Sequence, residues 1–76
     1  MNNTRRKSIE TLITKLEMVK EELEILKDEE QECFDNLPEG LQSSERGEAM
    51  ENAVYNLESA MDDLEIVIDD LNAAME

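Results

Sequence analysis

The chain has no histidine and no tryptophan, one cysteine, one proline, two glycines and only two aromatic side chains, Phe34 and Tyr55. Each scarcity removes a class of function. Without histidine, and with Cys33 as the only thiol, neither a zinc ligand set nor the Glu-x-x-His pattern of di-metal bundles can be assembled. A lone cysteine also forbids an intrachain disulfide. Two aromatics cannot build a stacking platform for single-stranded nucleic acid. No nucleophile elbow, phosphate loop or Cys/His pairing is present, so no enzyme, metal or cofactor is expected. Apolar runs such as Ile66-Val67-Ile68 are far too short for a membrane span, and Arg5-Arg6-Lys7 precedes no secretory core. The cytosol is the default location.

Positive charge is scarce as well. Seven Lys/Arg stand against 21 Asp/Glu, a formal net charge of −14. Residues 1–36 carry six cations and ten acids, a balance of −4, whereas residues 37–76 carry Arg46 against eleven acids, a balance of −10. Such a surface repels phosphate and disfavours direct contact with nucleic acid or an anionic membrane. Its electrostatic complement is a basic protein.

What the chain does have is heptad periodicity. Ile9, Leu12, Leu16, Val19, Leu23 and Leu26 follow alternating steps of three and four. Met50, Val54, Leu57, Met61, Leu64, Ile68, Leu71 and Met75 do the same. Folding back near Gly40 aligns Leu26 with Val54, Leu23 with Leu57, Val19 with Met61, Leu16 with Leu64, Leu12 with Ile68 and Ile9 with Leu71. The pattern predicts an all-α fold, an antiparallel two-helix hairpin of coiled-coil type. Its parts are a basic, frayed N-terminus over 1–7 and a single hairpin over 8–76. The helices are expected at about 5–35 and 44–75, with a turn at 36–43 set by Pro38, Asn36 and Gly40. Cations in the first turn oppose the helix macrodipole, so with Arg5, Arg6 and Lys7 there the regular helix is expected to begin anywhere between Thr4 and Ser8.

The flanking columns extend the reading. Ile13, Lys20, Lys27 and Phe34 face Glu51, Glu58, Glu65 and Asn72, so Lys27 is expected to meet Glu51 and Lys20 to meet Glu58. Ala53, Ala60, Val67 and Ala74 form a further column of small apolar residues, wider than a two-helix seam requires. This column is the expected dimer face, two hairpins making a four-helix bundle; a foreign helix on the same face is the alternative. Cys33 falls at a core position and reads as a small buried thiol.

Candidate sites are all surfaces. Asp62, Asp63, Asp69 and Asp70 occupy outward positions and, with Glu58 and Glu65, make an acidic face suited to a basic partner. No EF-hand spacing accompanies them, and no metal site is expected. Glu30 sits at a core position within reach of Arg46, which suggests a buried ion pair stapling the turn. Alternatively, Phe34, Asn36, Leu41, Gln42 and Arg46 form a recognition site at the hairpin tip, the segment that heptads explain least.

The stretch 29–48, with its elements Phe34-Asp35-Asn36-Leu37-Pro38-Glu39 and Ser44-Glu45-Arg46-Gly47, resembles a group of small acidic proteins encoded by phages and prophages of Gram-positive bacteria. The resemblance covers about residues 15–72 and implies a setting in the bacterial host cytosol, with no activity firmly attached. Small acidic phage proteins are often inhibitors that occupy the basic, nucleic-acid-binding surface of a host factor. The expected function is therefore that of a non-enzymatic acidic interaction protein, a phage-borne inhibitor of a basic nucleic-acid-binding host protein or defence complex. A structural coiled-coil protein within a larger bundle is the alternative.

Overall fold

Pro38 divides the chain into two long helices. The computed structural model describes all 76 residues as α1 (Asn3–Asp35), α2 (Glu39–Gln42) and α3 (Glu45–Ala74), with no strand. α1 ends where Asn36 closes its last turn, donating its N–H to the carbonyls of Glu32 and Phe34, two residues before the proline that cannot continue a helix. α3 starts on Ser44, whose Oγ accepts the Gly47 N–H at 3.4 Å, and Glu45 and Glu48 lie at the positive end of its dipole. α1 and α3 lie along each other as an extended pair measuring 58 × 15 × 12 Å.

Polar contacts fix how the pair is matched. Arg6 Nε donates to the Met75 carbonyl at 2.9 Å, placing the first turn of α1 beside the last turn of α3. At mid-length, Lys20 Nζ donates to Glu65 at 2.5 Å. The N-terminal segment differs from the expected frayed tail: helix begins at Asn3, capped by Asn2 Oδ1, which accepts the Arg5 N–H at 2.8 Å. The tertiary setting supplies the reason. Arg6, a cation unfavourable for α1, lies against the negative end of α3, whose own last turn has no basic residue.

The seam is rotated on the α1 side. Beyond Arg6 in its first turns, the half-buried residues of α1 are Ile9, Ile13, Leu16, Lys20, Leu23, Lys27, Glu30 and Phe34. Leu12, Val19 and Leu26 remain 48%, 42% and 51% exposed, and Cys33 is exposed too. The layers of Leu26 with Val54, Val19 with Met61 and Leu12 with Ile68 are therefore not the ones that close the pair, and Cys33 is not a buried thiol. α1 carries three apolar columns, and one partner helix can cover only two. The observed choice brings in Ile13 and Phe34 and sets Lys20 against Glu65, with the lysine stems lying over the seam. On α3 the seam follows the heptads, and Val54 and Ile68 are its best-buried residues, at 8% and 5% exposure.

The ion pairs also differ from the expected ones. Lys20 meets Glu65 rather than Glu58, because a helical side chain leans toward its own N-terminus and so reaches past the residue directly opposite. Lys27 bonds its neighbour Asp28 at 3.0 Å rather than Glu51. The hydrogen bond to Glu65 holds the Lys20 ammonium above its ordinary value of 10.5, with Glu24 and Asp62 adding to it and partial desolvation opposing. The Asp28 contact does the same for Lys27. A raised ammonium pKa contributes stability that is fully present below the ordinary value and is lost as pH rises through the raised one. Melting temperature should therefore hold level through neutral pH and fall above about 10.5. Lys20→Met should flatten that alkaline fall, and an unchanged profile would show that the pair contributes nothing.

Candidate interaction surfaces

The turn is a packed structure rather than an open loop. α2 is one helical turn, with the Leu41 and Gln42 amides bonding the Pro38 carbonyl at 2.8 and 3.1 Å. The Gln42 side-chain amide donates to the carbonyls of Phe34 (3.3 Å) and Leu37 (3.2 Å), satisfying the frayed end of α1. Ser44 Oγ donates to the Leu41 carbonyl while accepting from Gly47. Gly47 is the one buried glycine: a Cβ there would lie 2.0 Å from the Gln42 carbonyl oxygen and 2.7 Å from that of Leu41. Only hydrogen lets the first turn of α3 pass so close to α2. Gly40, by contrast, sits in α2 without positive φ and with nothing within 4 Å of an added Cβ, so the turn does not depend on it.

Of the expected tip residues, Phe34 is half-buried on the seam and Gln42 is committed to the turn, while Asn36, Leu41 and Arg46 are exposed. The Glu30–Arg46 staple does not form. Glu30 lines a shallow groove with Leu26, Glu29, Cys33 and Leu57, and the ion pairs of the chain are Lys20–Glu65 and Lys27–Asp28. Side-chain direction accounts for this. On α1 Glu30 leans away from the turn, whereas on α3 Arg46 leans toward it, so the two heads diverge.

The acidic residues lie where solvent reaches them. Glu58, Asp62, Asp63, Glu65, Asp69 and Asp70 are all exposed. Glu65 is drawn into the Lys20 pair, and Glu58 lies close enough to Lys27 to raise its pKa. Asp63, Asp69 and Asp70 engage no cation, and Asp62 acts on Lys20 only at a distance. No group of three or more acidic or thiol side chains converges where a metal ion could be held.

The opposite side of the seam is apolar. Ala53 and Ala60 are half-buried, Val67 is 43% exposed and Ala74 is exposed. The exposed α1 column of Leu12, Val19, Leu26 and Cys33 runs alongside, since Lys20, Glu17, Glu21, Glu24 and Glu65 gather on the other edge. Together they make one apolar face that sequence reasoning divided, assigning the α1 half to the intrachain seam. The signal for the difference was present in Ile13 and Phe34, two large apolar residues in a column otherwise read as polar. No helix is long and apolar enough to cross a membrane. In comparisons with known proteins, no family model, no curated protein and no solved structure matches this chain.

Proposed function

We propose that the chain is a non-enzymatic interaction protein, an antiparallel coiled-coil hairpin that pairs into a four-helix bundle and presents acidic outer faces to a basic partner. The partner class that fits is a nucleic-acid-binding protein of a bacterial host. In that setting the chain acts as a phage-borne inhibitor, occupying a surface otherwise used for phosphate. The observation carrying this reading is the row Asp62, Asp63, Asp69 and Asp70: four exposed carboxylates on a continuous helix, none in an ion pair. Charges held on a rigid element and left unpaired within the chain are free to steer and hold a cationic surface.

The test is capture from host lysate by the tagged chain. Partner binding should weaken steeply with salt, be displaced by added DNA, and be lost when the four aspartates are changed to asparagine, with helicity unchanged. Retention by that variant would remove the acidic face from the proposal. Loss on Phe34→Ala with Arg46→Ala, in place of the aspartate variant, would move recognition to the turn. A second reading, an assembly protein contributing helices to a larger bundle, is favoured by the exposed Leu12–Val19–Leu26 column, and genomic association with capsid or tail genes would support it.

A further inference from the structure

We infer that the apolar face is covered by a second copy of the chain lying end for end, so that Arg5 of each copy enters the groove lined by Leu26, Glu29, Glu30, Cys33 and Leu57 of the other. This rests on the four-helix-bundle reading above and adds the orientation and the polar contact that the bundle alone leaves open. The area comes first. The chain exposes 5634 Å², whereas a compact protein of 8.7 kDa exposes about 4,700 Å². The excess is comparable to the roughly 800 Å² that each partner gives up in a standard interface.

Charge chooses the orientation. Around the turn, residues 28–51 carry nine acids and one cation, a balance of −8. At the open end, residues 1–15 and 65–76 carry four cations and five acids, a balance of −1. Stacking two copies turn on turn sets −8 against −8. Stacking them end for end sets each −8 against −1, which removes most of the repulsion. Register then follows from the seven-residue spacing. With the two-fold axis at Val19, Leu12 of one copy lies over Leu26 of the other, and Arg5 over Cys33. The Arg5 guanidinium makes no hydrogen bond or ion pair within its own chain, and neither Glu29 nor Glu30 is paired. Each end of the bundle thus brings an unpaired cation to two unpaired carboxylates.

Cys33 is exposed, unique and on this face, so a nitroxide on the native thiol reads the arrangement. Fourteen residues separate it from the axis, about 21 Å of helix, so the two labels should lie about 40 Å apart. Turn-on-turn stacking would bring them within about 20 Å. A label moved to the outer side of α1 by Glu32→Cys in a Cys33→Ser background checks that the probe does not itself block the face. Arg5→Glu should weaken dimerisation about tenfold, and Glu29→Arg in the same chain should restore it. A monomer at all concentrations in sedimentation equilibrium would overturn both this inference and the bundle reading. A dimer with a short label distance would overturn the orientation alone. A 40 Å separation with no response to Arg5→Glu would overturn the groove contact.

Discussion

Gly47→Ala is expected to destabilise the chain by about 2–3 kcal/mol, a large share of what a domain of this size can have. Intrinsic helix propensity argues the other way, since alanine in a helix is favoured over glycine by about 1 kcal/mol. Geometry decides the sign. The added methyl would sit 2.0 Å from the Gln42 carbonyl oxygen and 2.5 Å from its carbon. These are backbone atoms fixed by the α2 turn and cannot swing aside as a side-chain tip would. Relief requires α2 to move off α3, breaking the Gly47–Ser44 cap and the Gln42 bonds to Phe34 and Leu37. Gly40→Ala is the internal control. With open space around it and an ordinary helical φ, it should be neutral or stabilising by up to about 1 kcal/mol. Urea unfolding of the two variants side by side is the measurement. Equal effects would refute the close approach of α2 and α3.

The contrast between these glycines also marks what periodicity can and cannot reveal. Two long helices and a break at Pro38 follow from spacing and a missing N–H, both local properties. The role of Gly47 is not local. It depends on how near α2 comes to α3, which no single segment encodes. The same holds for α1. Its three apolar columns are readable, but which two face α3 depends on competition among Ile13, Phe34 and the Lys20–Glu65 pair on one edge and Leu12, Val19 and Leu26 on the other. Heptad grammar treats leucine as core by default and so chose the second set. The basic first turn, unfavourable for α1 alone, likewise makes sense only with α3 beside it, where Arg6 reaches the Met75 carbonyl. For the acidic face, exposure was legible from the outward heptad positions. Which acids the lysines would engage was not, because that depends on side-chain lean.

In the end-for-end dimer proposed above, Val19→Asp should raise the dissociation constant at least about 100-fold, because each copy then brings an unpaired carboxylate to the centre of the proposed interface. By symmetry the cost is counted twice. Helicity should fall with it, since one seam with Val54 and Ile68 as its only well-buried side chains offers little to offset the ordering of two long helices. Loss of helicity alone would not separate this outcome from the heptad reading, in which Val19 packs against Met61 of its own chain and aspartate unfolds the hairpin directly. Mixing separates them. Val19→Lys should fail to self-associate for the same reason, yet the Asp and Lys variants combined should form a one-to-one heterodimer with restored helicity. Across a two-fold axis residue 19 faces residue 19, so opposite charges meet in the mixture while like charges meet in each variant alone. Val19 buried within its own hairpin has no second chain to respond to, and the mixture would then stay as unfolded as its components. Sedimentation and circular dichroism on the mixture and on each variant decide between the two.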